Sequence, residues 1–281
     1  MTAATLTPSP TVRSDARLTF PRILRSEWIK LTSLRSTLWS LGLIVALGVG
    51  LSFLVASLGF GMEGASAPDP GAVVTTATIG VSFGQLIAAV LGVLMVTGEY
   101  STGMIRSTLA AVPARLPVLA AKSLVLFLLV SAVGAITMFG SWAATYPVLD
   151  AQGLAVGLAE PGLAPALAGA AVYLGLTAVF ALGLGTLLRS SAGGIAASLG
   201  VILVIPTVLP LLSLAVDWAD EVAPYIFSNA GVAMARLPST ESVEESIGQT
   251  LLEPGLGGLV VLAWTLVSLT LGAIALRRRD A

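Results

Sequence analysis

Six stretches of predominantly apolar residues, none with a charge in its middle, constrain this chain more than any other feature. They cover residues 38–59, 78–97, 123–146, 165–188, 195–216 and 255–276. Each has the length of about 20 residues that a membrane-crossing helix needs. A hydrocarbon core offers no water to backbone N–H and C=O groups, so a crossing segment satisfies them internally, as a helix does. The expected fold is therefore all-α: a polytopic membrane protein whose six transmembrane helices occupy residues 38–276. Composition agrees. The 281 residues are 56% hydrophobic and 10% charged, with a mean hydropathy of +0.96, where a soluble domain carries about a quarter charged residues. Only "RSSAGG" separates the fourth and fifth runs, which reads as a tight helical hairpin. Pro206 and Pro210 are expected to kink or interrupt the fifth.

The charges set an expected orientation. Of the fourteen Lys and Arg, six precede the first run, three lie between residues 98 and 122, one is Arg189 and three close the chain. Those thirteen share one side of the expected bundle, and only Arg236 falls on the other. The positive-inside rule makes the rich side cytoplasmic, with both termini there. Eleven acidic residues, from Glu63 to Glu253, fall on the opposite side. That placement reads as solvation of the outer loops in preference to a cation-gathering role.

What is missing narrows the chemistry. The sequence has neither cysteine nor histidine, so thiolate chemistry, disulfides, His-held metal or haem and Ser-His dyads are all ruled out. No metal site and no cofactor is expected. Mid-membrane carboxylates and lysines, the usual mark of ion-coupled transport, are absent from every run. No phosphate-binding loop of the form GxxxxGK followed by Ser or Thr occurs, so any nucleotide must be bound by another chain.

The segments beside the first three runs are unusual. Residues 1–19 read as a polar, disordered tail with no cleavable signal, and residues 277–281 as a short basic tail. Between them and the first run, residues 20–37 have helical periodicity. Phe20, Ile23, Leu24, Trp28, Leu31 and Leu34 share one face and Arg22 and Arg25 lie opposite, as in a helix lying on a membrane surface. Glu27 is a misfit inside that apolar face. It is expected to snorkel, to pair with Lys30 or Arg35, or to pair with a neighbouring element. The connection "GEYSTGMIRSTLAAVPARLP" is far longer than a minimal link and has a helical period of its own at Ile105, Leu109 and Val112. Gly98 and Gly103 permit redirection, and Pro113 ends the short helix. Glu99 and Arg106 are expected to brace one another. In the connection of residues 217–254, "PYIFSNAGVAMARL" is apolar enough to dip into the outer leaflet or to pack over the spans.

"RSEWIKLTSLRSTLWSL" and "GEYSTGMIRSTLAAVPARLPVLAAKSLV" together resemble permease subunits of the type-2 ATP-binding-cassette (ABC) transporter family, in its actinobacterial-type form. The resemblance implies a connecting helix at residues 20–37, with Arg25, Glu27, Trp28 and Lys30 on it. It implies a coupling helix at about residues 101–112 that docks in a separate ATP-binding subunit. Glu99, Ser101, Ile105, Arg106, Leu109 and Arg115 would make that contact. It further implies a second permease, the same or different, in the plasma membrane, and export of an amphipathic or hydrophobic substrate by alternating access. The chain itself would not be an enzyme and would bind no nucleic acid. A non-transporting membrane scaffold stands as the alternative. An intramembrane enzyme is disfavoured by the missing His, Cys and carboxylate pairs.

Overall fold

The computed structural model describes residues 19–59, 67–112, 114–237 and 252–278. Every regular element among them is helical. In chain order these are α1 (Phe20–Ser33), α2 (Arg35–Leu58), α3 (Pro70–Thr78), α4 (Val81–Ser101), α5 (Met104–Ala111), α6 (Leu116–Ala151) and α7 (Leu163–Leu188). There follow α8 (Ser191–Leu199), a π-helical turn (Gly200–Val204), α9 (Ile205–Ser213), α10 (Trp218–Val222), α11 (Phe227–Met234) and α12 (Pro254–Arg278). Six helical stretches are long and apolar enough to cross a membrane: Arg35–Leu58, Pro70–Ser101, Leu116–Ala151, Leu163–Leu188, Ser191–Ser213 and Pro254–Arg278. The chain is thus consistent with a multi-pass membrane protein.

The fourth of these, α7, is the hub. Of its most apolar window 72% is buried, against 17% for Ser191–Ser213, because α4, α6 and α12 all pack along it. Lipid tails are as apolar as leucine, so close approach rather than hydrophobicity drives helices together in a bilayer, and small residues permit it. A Cβ at Gly92 would collide with the Ala178 carbonyl, and one at Gly183 with Ser268. Ser268 Oγ in turn donates to the Phe180 carbonyl at 2.5 Å, tying α12 to α7. Large side chains fill what remains: Phe180 stacks on Phe227 with ring centroids 4.5 Å apart.

Several boundaries differ from the sequence expectation, each for a local reason. The helix at residues 20–37 stops at Ser33, Leu34 is extended (φ −81°, ψ 122°), and Arg35 already opens the first crossing helix. The third runs for 36 residues, from Leu116 to Ala151, with Pro117 in its first turn. At 1.5 Å per residue that is about 54 Å, well beyond a hydrocarbon core of about 30 Å. Both ends therefore extend past the apolar run of residues 123–146, and Lys122 is drawn into the helix. In the fifth, the π turn precedes Pro206. Proline has no N–H to give the Ile202 carbonyl one turn back, and Ser228 Oγ from α11 donates to it instead at 2.7 Å. Helix α11 packs over the bundle, with Phe227, Ala230, Ala233 and Met234 buried. Glu241, Glu244 and Glu245 lie outside the described residues.

Candidate functional site

Helix α1 carries Pro21 in its first turn, where the missing N–H is harmless. It buries one row, Ile23, Glu27 and Leu31, spaced four apart. Ile23 clusters with Val112 at the end of α5 and with Val118 and Ala121 at the start of α6. Phe20, Trp28, Ile29 and Leu34 remain exposed. The apolar face expected from periodicity is therefore divided. Its inner edge packs on the protein and the rest of it faces outward. Glu27, 1% exposed, sits in the middle of the buried row.

A buried carboxylate needs charge and donors, and α4 and α6 bring them. Lys122 Nζ lies 2.6 Å from Glu27 Oε2 and 2.9 Å from Glu99 Oε1. Lys30 Nζ lies 2.8 Å from Glu27 Oε1 and 3.1 Å from the same Glu99 Oε1. Two ammoniums and two carboxylates thus close a ring that carries no net charge. Lys30 adds a bond of 3.4 Å to Thr108 Oγ1, which reaches into α5. Glu27, Glu99 and Lys122 are each at most 3% exposed, so the ring is shielded from water and screened little by salt. Burial by itself pushes the Glu27 carboxyl up. The charge of Lys122 and hydrogen bonds from Lys122 and Lys30 outweigh it and hold the group below its ordinary value. For Lys30 burial pulls down, but the hydrogen bond to Glu27 and the charges of Glu27 and Glu99 leave it raised.

The physical consequence is a three-way joint. Removing any one residue of the ring leaves the others short of a partner, and an uncompensated buried charge costs about 3–5 kcal/mol. Helices α1, α4 and α6 are therefore coupled at one end of the bundle, directly beside α5. The ring fixes the relative position of three helices, and a concerted exchange of partners would move them together.

The remaining expected residues are distributed around this joint. Ser101 closes α4, exposed, with Oγ donating to the Gly98 carbonyl at 3.0 Å. Ile105 is buried in the main core. Arg106 and Leu109 belong to α5, and their side chains lie outside what the structure describes. Among the described residues the bonds of Glu99 go to Lys30 on α1 and Lys122 on α6; the expected brace to Arg106 falls on a side chain outside what the structure describes. Arg115 takes φ +55° between α5 and α6 and donates from Nη1 to the Leu276 carbonyl at 3.0 Å, capping the end of α12. Arg25 and Trp28 face outward from α1, and Arg35 makes no ion pair among the described residues. At the same end Arg189, which closes α7 at φ +54°, lies over the Tyr100 ring at 5.3 Å.

Sequence reasoning missed Lys122 as the centre of the joint. Its signal was present: Glu27 and Lys122 are lone charges of opposite sign on faces that must be buried, at the same end of the bundle. Compared with known proteins, the chain matches no family model and no curated protein.

Proposed function

We propose that this chain is the transmembrane permease subunit of an ATP-driven transporter resembling the type-2 ABC family, exporting an amphipathic or hydrophobic substrate. The observation that carries the reading is the buried ring that ties α1, α4 and α6 together beside α5. A motor subunit gripping α5 pushes on a joint that already spans three helices. Its displacement is passed to α2 through the short break at Leu34, to α4 through Gly103, and to α6 through Arg115. Helix α1 lies on the inner membrane surface, where its exposed Trp28 and Phe20 meet lipid and Arg25 meets anionic headgroups. Both termini are cytoplasmic in the plasma membrane, and a second permease completes the path. ATP hydrolysis belongs to the partner subunit, and the ring acts by biasing a two-state equilibrium.

Purification of the intact chain from its native membrane in a mild detergent tests this reading. An ATP-binding-cassette subunit should accompany it in stoichiometric amount, and Arg106→Glu in α5 should release that subunit while leaving membrane insertion unchanged. Recovery of the chain without any nucleotide-binding partner, or an Arg106→Glu variant with undiminished transport at equal abundance, overturns the proposal and favours the scaffold.

A further inference from the structure

The fifth crossing segment, Ser191–Ser213, has two halves that answer to different neighbours. Its first half, α8, begins at the ring end of the bundle, where Ser191 Oγ donates to Thr97 Oγ1 at 2.8 Å, and packs on α4 and α7. Its second half, α9, packs on α10 instead. Leu209 joins Ala219, Ala223 and Ile226 in a small apolar cluster apart from the main core. The halves meet at the π turn. There the Ile205 N–H reaches back five residues to the Gly200 carbonyl, and Pro206 has no N–H to give. No neighbour stands within 4 Å of where a Gly200 side chain would be.

Two adjacent side chains of α11 hold both ends of the excursion that follows. Ser228 Oγ donates to the Ile202 carbonyl at 2.7 Å, where the excursion leaves, and Asn229 Nδ2 to the Ala223 carbonyl at 2.9 Å, where it returns. The post they stand on is fixed. Phe227 stacks on Phe180, a Cβ at Gly231 would collide with the Tyr173 ring, and Trp264 Nε1 of α12 donates to the Tyr225 carbonyl at 3.1 Å. The Ile202 carbonyl also has a second donor within reach. The Thr207 N–H, five residues on, can serve it if the π turn lengthens by one residue. Thr207 Oγ1 already donates to the Leu203 carbonyl at 2.6 Å, so Leu203 keeps a donor through that change. Two hydrogen-bonded arrangements are thus open to one segment, which is what a hinge needs.

We propose that residues 205–223 form a hinged flap, latched to the bundle by Ser228 and Asn229. Released, α9 and α10 swing as one piece about the π turn and the 3₁₀ turn Ala223–Tyr225, while α8 stays between α4 and α7. The swing parts the π turn from α11 and opens a slot walled by Ile202 and Phe227. The flap lies at the end of the bundle opposite the ionic ring, and it does not require that the chain transport anything.

Spin-label distance measurements on the full chain in nanodiscs test the flap. The sequence has no cysteine, so two introduced ones place the labels, and excess unlabelled chain suppresses distances between copies. Leu211→Cys on α9 with Leu266→Cys on α12, both exposed, reports the flap, and Ala196→Cys on α8 with Leu266→Cys reports the frame. Adding Ser228→Ala should raise the ratio of a second Leu211–Leu266 distance to the first about tenfold, the effect of one hydrogen bond. Asn229→Ala in the same chain should raise it further. The Ala196–Leu266 distance should stay single in every variant, which also reports that the bundle is folded. Pro206→Ala restores an N–H for the Ile202 carbonyl and should return the Ser228→Ala chain to the first distance. A single unchanged Leu211–Leu266 distance in the chain lacking both latches would overturn the proposal. So would a second population that Pro206→Ala leaves intact, or an Ala196–Leu266 distance that splits along with it. These distances are read without a motor subunit or a substrate, so they fail independently of the permease reading.

Discussion

The middle and the C-terminal end of helix α4 are held to the bundle by opposite means. Through its middle, Gly92 lies against the α7 backbone at Ala178, and contact there is a matter of atoms with nowhere else to go. At its end, Glu99 is gripped by two lysines from α1 and α6, and contact is a matter of charge. Close packing has one good arrangement, since a dense interior does not deform continuously. An ionic ring can have more than one, because each carboxylate can trade one ammonium for another. The middle of this molecule is built to stay as it is, and the joint at the end is where movement can be transmitted.

Substitutions should separate these regimes. Lys122→Met leaves two buried carboxylates facing only the half-exposed Lys30. It should lower stability by about 3–5 kcal/mol, read as a fall in the thermal midpoint in detergent. Replacing Glu27 by Gln in the same chain should return part of that loss, because one uncompensated charge disappears with it. Strict additivity of the two would show that the ring is not coupled. In the packed region Gly92→Ala forces a methyl into the Ala178 carbonyl and should cost about 1–3 kcal/mol, unaffected by salt or pH. Ser228→Ala removes the donor that serves the carbonyl freed by Pro206. A loss of about 1–3 kcal/mol is expected, and a negligible one would mean that the π turn satisfies Ile202 unaided.

The smallest effect is that of pH, and it is confined to the joint. Glu27 is lowered relative to its unfolded value, so its contribution is present above the ordinary carboxylate pKa and is lost as pH falls through the folded one. Lys30 is raised, so its contribution is complete below the ordinary lysine pKa and is lost as pH rises through the folded one. The joint is thus strongest across the broad range between those values. Hydrogen exchange in α1 should quicken at both extremes before the α7 core responds. Simultaneous loosening of both regions would contradict the comparison.

Much of the architecture was legible because the bilayer reduces a span to length and apolarity. All six runs reappear as helices, and the end of α5 at Ala111 and the turn at "RSSAGG" fall where backbone chemistry puts them. The joint was legible only in halves. Glu27 stood out as a charge on an apolar face, and Glu99 as a charge in a long connection. The partner of both was not apparent, because Lys122 stood just outside a run that the helix then extended to enclose. Periodicity also overstated the apolar face of α1, since it reports which residues align and not which neighbour covers them.

The sequence by itself determined that this chain has six helices long and apolar enough to cross a membrane, that a short helix separates the second from the third, and that the chain carries no histidine or cysteine chemistry. These follow from local properties: hydropathy, backbone propensity and residue identity. Only the tertiary structure decided that Glu27, Lys30, Glu99 and Lys122 form one ring, that Ser228 completes the fifth span, and that a cavity lies beside the joint. Each of those depends on residues far apart in the chain, and a buried charge or a freed carbonyl states that it needs a partner without stating which one the fold will bring.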